Sequence, residues 1–361
     1  MGAFTFLLTV AFVPFLPAGA LTPRFALLSI GLPIFMLWRR VPLPHVAVLA
    51  YVAFYVWLAP SLDSALFDAW TFLLWVAAFM IGRTTDLRPV FIGAAWGLAV
   101  NSVVMLLPLD LPHTTLWAGL FTNRNGAVEA AAMVAAAIVA YRLWWLLPGL
   151  APTLLAGARA PILALGLVGA AALWRRSRLQ ALAGALAALA IFALLFWRRD
   201  VQALDPFGTL HERLDVWRDL IPNLNVLGHG FGAFTFDYPT MQDHTDALAI
   251  RYDHPHADIL QIAYELGVGG VLLVGVLCAR LGRVAPDPAW YALVVFLLEG
   301  CAGFPLYTPL TGFLAALCAG HLYGPGVLLR HRVAGLGLGV RGGHTDFLHR
   351  PLPACRGELP Y

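Results

Sequence analysis

Two histidines, His254 and His256, flank Pro255 just ahead of the apolar run from Ile259 to Leu266. Imidazole changes charge near neutral pH, so a pair at the mouth of a membrane-type helix is placed to accept a proton from a substrate hydroxyl. Three arginines supply complementary chemistry. Arg213 lies in Thr209-Leu210-His211-Glu212-Arg213, Arg159 follows Gly157-Ala158 between two apolar runs, and Arg124 sits in Asn123-Arg124-Asn125-Gly126. A guanidinium meets phosphate oxygens through paired hydrogen bonds, which suits an anionic diphosphate better than the point charge of a lysine. The competing role for Arg213 is an ordinary pair with Asp215, Asp219 or another loop carboxylate. Asp243, His244, Asp246, Asp253, His254, His256 and Asp258 are the competing metal-ligand set, but their spacing fits no specific template, and neither metal nor cofactor is expected.

These residues belong to a polar island. Residues 198–257 and the adjoining Asp258 hold ten of the twenty acidic residues, five of the eleven histidines and five arginines. Around the island the chain is lipid-like: 60% hydrophobic, 12% charged and with a mean hydropathy of +0.77, where a soluble domain carries about a quarter charged residues. Apolar stretches near the ~20 residues that a span needs recur about twelve times. They centre near positions 12, 31, 51, 73, 98, 133, 151, 167, 188, 269, 297 and 319. The fold class expected is therefore an all-α polytopic membrane protein with one large external loop before the tenth span.

All 23 positive side chains are arginine, and they punctuate alternate gaps. Arg39 and Arg40, Arg83 and Arg88, Arg142, Arg175 with Arg176 and Arg178, and Arg280 with Arg283 mark the cytoplasmic loops, because translocating such charge is disfavoured. Both termini then lie in the cytoplasm and residues 198–257 lie outside. Residues 1–330 form the expected transmembrane domain and 331–361 a cytoplasmic tail. The segment from Phe4 to Ala20 lacks a positive amino-terminal region, so it reads as a first span rather than a cleaved signal. External arginines run against the charge bias, and an anionic ligand is one reason for them.

Local signals set expectations for the island. Thr209 and Glu212 have capping-box spacing, so a short helix should run to Ile221 and stop at Pro222, with Leu214, Trp217 and Ile221 as its apolar stripe. Gly228-His229-Gly230-Phe231-Gly232 reads as a structural turn, since no strand–helix unit of a nucleotide site flanks it. Pro255 suits the first position of a helix. Cys278, Cys301, Cys318 and Cys355 show no paired spacing, with three of them expected inside spans.

Over roughly Phe121 to Gly320 the chain resembles the O-antigen ligase and polymerase superfamily of bacterial inner-membrane glycosyltransferases. The resemblance rests on Phe121-Thr122-Asn123-Arg124-Asn125, Gly157-Ala158-Arg159-Ala160, Arg213 with Trp217, Leu227 to Phe234, His254-Pro255-His256-Ala257-Asp258-Ile259-Leu260-Gln261 with Glu265-Leu266-Gly267, and Phe304 to Pro309. It implies metal-independent, inverting transfer of a glycan from undecaprenyl diphosphate to an acceptor hydroxyl on a glycan or lipid A-core, at the periplasmic face. It assigns the donor diphosphate to Arg159 and Arg213, joined by the external Arg124, and makes His256 the base with His254 orienting or replacing it. The family has serine and asparagine where this chain has Ala158 and Ala257. The partners implied are a lipid-linked glycan, its acceptor and membrane lipid, with no nucleic acid. Three alternatives stay open: a polymerase of the same superfamily, a polytopic transporter or flippase using Glu129 or Glu299 as deep charge, and a non-enzymatic assembly subunit.

Overall fold

The computed structural model describes residues 1–11, 21–41, 46–107, 120–121, 124–156, 159–174, 177–200, 208–243 and 254–324. All regular structure among them is helical. The helices are α1 (Gly2–Val10), α2 (Leu21–Arg39), α3 (Val46–Leu58), α4 (Leu62–Gly82), α5 (Arg88–Leu106), α6 (Arg124–Ala140), α7 (Leu147–Leu154), α8 (Arg159–Trp174), α9 (Arg178–Asp200), α10 (Gly208–Leu220), α11 (Ala233–Met241), α12 (Asp258–Leu281), α13 (Pro288–Glu299) and α14 (Pro309–Leu322). Among the described residues, three are long and apolar enough to cross a membrane: α4, α5 and α12. A helix lies at or beside each expected span centre, but α7 has only 8 residues, with Pro148 in its first turn and Pro152 inside it. At 1.5 Å per residue it rises about 12 Å, well short of a ~30 Å hydrocarbon core.

At the centre stands α6. Its run of Ala127, Ala130, Ala131, Ala132, Ala135, Ala136 and Ala137 is buried on every side. Small side chains let neighbouring backbones approach closely, which is how helices pack without a hydrophobic driving force between them. Accordingly α5, α7, α8 and α13 all lie against it, while α14 packs against α4 and α13. The outer surfaces keep large apolar groups exposed, among them Trp38, Trp57, Leu179 and Leu272, as lipid-facing helices require.

Among the described residues, one charged side chain inside this core is held by backbone carbonyls rather than by a carboxylate. Arg24 is 1% exposed; its Nε donates to the Leu8 carbonyl at 3.0 Å and its Nη2 to the carbonyls of Thr9 and Leu120 at 2.6 and 3.1 Å. Its guanidinium carbon sits 4.0 Å from the centre of the Phe121 ring. A cation on the free carbonyls ending α1 complements that helix's dipole.

Within the island, two expectations need correcting. Val216 and Leu220 are the fully buried residues of α10, packed against Phe234, Tyr238 and Tyr264, whereas Ile221 is 53% exposed. Pro222 ends the α-helix at Leu220 and forces a 3-10 turn over Ile221–Asn223, which rotates Ile221 out of register. Pro255 does not open a helix either. α12 begins at Asp258 with Ala257 as its N-cap, because His256 adopts a positive φ of 54° that breaks the helical path. Cys301 lies just beyond α13 rather than within a span, and Cys278, Cys301 and Cys318 are free thiols. The tail from 331 and positions 244–253, with His244, Asp246 and Asp253 of the competing metal-ligand set, fall outside the described residues.

Candidate functional site

The glycine run positions everything else. Gly228, Gly230 and Gly232 all have positive φ, and this strap lies against a break in α12 where Gly267 turns to φ 54°, ψ −145°. The break frees carbonyls that the strap then satisfies: His229 N–H donates to Tyr264 at 3.0 Å and Gly230 N–H to Glu265 at 2.9 Å. In return Val268 N–H donates to the Val226 carbonyl at 2.9 Å. A Cβ on Gly228 would sit 2.4 Å from the Glu265 carbonyl oxygen, so only glycine allows this approach. The expected structural turn is thus a clasp that holds the island to the first half of α12.

Through that clasp α10 reaches the histidines. Trp217 Nε1 donates to the Pro255 carbonyl at 2.8 Å, and Arg213 Nη1 donates to the Ala302 carbonyl at 2.7 Å. Asp215 pairs with Arg218 at 2.8 Å, in an exposed bridge. The loop from Ala302 to Thr308 is the surface on which the parts converge. The His254 ring stacks on Phe304 and lies against Tyr307, at centroid distances of 5.1 and 4.3 Å, and the His256 ring meets Phe304 at 5.2 Å. Burial, then Arg213 and then His254 push the His256 imidazole down to about 4, so at neutral pH it is uncharged. The structure therefore brings Arg213, His254 and His256 together.

Arg124 and Arg159 open α6 and α8, but their side chains fall outside the described part of the structure. Their helices can be placed. Val128 packs on Ile162, which sets the first turns of α6 and α8 side by side. On its other flank α6 meets the same loop, since a Cβ on Gly126 would lie 3.2 Å from the Thr308 side chain. Two helix N-termini, each partly positive, thus start beside the surface that Arg213 and the histidines share.

Three carboxyl groups sit beneath this surface. Glu129, Asp258 and Glu299 are at most 4% exposed, and Glu129 is close enough to Arg213 to interact electrostatically. Asp258 Oδ2 accepts the Leu306 N–H at 2.9 Å, tying α12 to the loop. Among the described residues no group of three His, Cys, Asp or Glu is arranged to hold a metal ion. Glu129 and Glu299 are the residues expected from sequence as deep charge for a transporter. Gln261 and Glu265 figure in the sequence only through the resemblance, with no role of their own, although polar residues at helical spacing in an apolar run face the interior.

Residues 114–275 match the family model described as O-antigen ligase. That range contains Arg124, Arg159, Arg213, His254 and His256 and stops short of the Ala302–Thr308 loop. No curated relative and no solved structure gives a match.

Proposed function

Given that the chain carries an O-antigen ligase domain over residues 114–275, we propose that it is an inner-membrane glycosyltransferase moving a glycan from undecaprenyl diphosphate to an acceptor hydroxyl at the periplasmic face. Residues 1–330 make the membrane domain with about twelve crossings, the seventh completed by the residues on either side of the 8-residue α7. Residues 198–257 are its periplasmic loop, and residues 331–361 a cytoplasmic tail. The observation that carries the reading is the convergence of Arg213, His254 and His256 on one loop beside the N-termini of α6 and α8.

In this site the guanidinium groups of Arg213, Arg159 and Arg124 hold the donor diphosphate and stabilise the charge that grows on it as it leaves, with no metal required. A neutral imidazole takes the proton of the acceptor hydroxyl, and the acceptor oxygen attacks from the face opposite the diphosphate, which inverts the anomeric centre. Resemblance places that base at His256, with His254 beside it. The polyprenyl tail reaches the site laterally through the bilayer.

Purified protein in nanodiscs should transfer glycan from a lipid-linked donor. Arg213→Ala should lower kcat by about 10²- to 10³-fold, and full activity in both Arg213→Ala and His256→Ala removes the site assignment. Gene deletion distinguishes two reactions of the superfamily. Long chains left on the carrier indicate a ligase, whereas single repeat units indicate a polymerase.

A further inference from the structure

A second polar row on α12 has no part in the reaction as described so far. Asp258, Gln261 and Glu265 recur three and four residues apart in an apolar helix, and all three are buried. Gln261 is the centre of a hydrogen-bond chain. Its Nε2 donates to Oε1 of Glu265 at 2.9 Å, and its Oε1 lies 3.2 Å from Nδ1 of His254. Glu265 is fixed independently: its Oε2 accepts the Tyr307 hydroxyl at 3.3 Å, and the backbone N–H groups of Gly232 and Phe234 also donate to its carboxylate.

This arrangement decides a tautomer. A side-chain amide has one NH2 group and one oxygen, and with the NH2 turned to Glu265 only the oxygen is left for His254. An amide oxygen can only accept, so Nδ1 of His254 must carry a hydrogen, and in the neutral ring Nε2 then holds the lone pair. Contact with Phe304 and Tyr307 holds the ring plane in place. The buried Glu265 carboxyl group thus dictates, through one amide, which nitrogen of a site histidine carries the hydrogen, as the buried aspartate does for the histidine of a serine-protease triad.

Resting on the transferase reading above, we propose that Glu265 and Gln261 are positioning residues that fix His254 as its Nδ1–H tautomer, and that Nε2 of His254 receives the proton of the acceptor hydroxyl. This gives His254 the part that resemblance assigns to His256. The acceptor oxygen forms a bond to the anomeric carbon, and the bond from that carbon to the diphosphate oxygen breaks, leaving its electron pair on the diphosphate. The hydroxyl proton passes to Nε2, making an imidazolium whose Nδ1–H still points at Gln261, and solvent takes that proton after product release.

The test uses the full chain in nanodiscs with an undecaprenyl-diphosphate-linked glycan. Gln261→Leu should lower kcat by about 10²-fold or more while KM for the donor stays within about twofold. Gln261→Glu keeps an acceptor oxygen for Nδ1–H and should recover at least about tenfold of that loss. Nitrogen-15 spectra of histidine-labelled protein, with His254→Gln to assign the signal, should show Nδ1 of His254 protonated and Nε2 bare in the wild type. A protonated Nε2 in the wild type overturns the proposal, as does an unchanged kcat in Gln261→Leu. Arg213→Ala separates the two levels. If it is inactive while Gln261→Leu is fully active, only the positioning role fails; if it turns over like the wild type, the transferase site itself fails.

Discussion

Before Gly267, α12 turns Asp258, Gln261, Tyr264 and Glu265 inward; after it, Val268, Val271, Leu272, Leu273 and Val276 stand exposed on the outer surface. The first half is gripped by the glycine strap, the 302–308 loop and Tyr55, whose hydroxyl donates to the Leu266 carbonyl at 2.7 Å. The second half is tied to the bundle near its far end, where the Arg280 guanidinium donates to the Leu322 carbonyl at 2.9 Å and the Tyr323 hydroxyl to the Val276 carbonyl at 3.3 Å, while its exposed face meets the solvent, which in a membrane is lipid. One helix therefore serves two purposes, and Gly267 is where they separate. Irregular backbone at membrane depth is tolerated only where protein or a cavity satisfies its polar groups, and here the strap does so.

A charge on the outer half should have the largest effect. Leu272→Arg should cost about 2.5–3.5 kcal/mol of insertion free energy and reduce the yield of folded protein extracted from membranes; normal yield would mean that this face does not meet lipid. Next comes the junction. A Cβ on Gly267 would lie 2.3 Å from the Val226 carbonyl oxygen at a φ of 54°. Gly267→Ala should therefore lower stability by about 1–3 kcal/mol, read as a lower Tm in detergent, together with reduced transfer activity.

A smaller effect belongs to the inner half alone. The His256 imidazole is held down at about 4, whereas an unfolded chain titrates it near 6.5. Between those values the unfolded state binds the extra proton, so stability rises with pH across that window and is lost as pH falls from about 6.5 toward 4. Tm measured against pH should show this slope, and His256→Gln should flatten it. The smallest effect is expected at Val276, where Val276→Ala on the exposed face should change Tm and activity little, within about 0.5 kcal/mol.

Much of the inner half was legible as chemistry and little of it as geometry. Residue type, placement and the family resemblance together pointed to Arg213, His254 and His256, since the island offers other arginines and histidines of the same chemistry. The glycine run was read correctly as structural. What it clasps was not readable, since its partners, the Tyr264 and Glu265 carbonyls, become free only through the break at Gly267. Hydropathy averages over a window, so it saw one span centred near 269 and could not see that its two halves face different surroundings. The buried face of α10 was misjudged for a similar reason: Leu214, Trp217 and Ile221 have helical spacing, but the turn at Pro222 and the packing of Val216 and Leu220 on Tyr238 decide which side goes in. For α7, composition suggested a span that its two prolines cut to 8 residues.

The proposed transfer requires the Arg213–His254–His256 surface to open to the non-cytoplasmic side, where a lipid-linked diphosphate donor is presented. Glu212 is exposed one residue before Arg213. In a background where Cys278, Cys301, Cys318 and Cys355 are serine, Glu212→Cys should react with a membrane-impermeant maleimide added to intact spheroplasts. Labelling only after the membrane is opened to expose the cytosolic face would contradict the account.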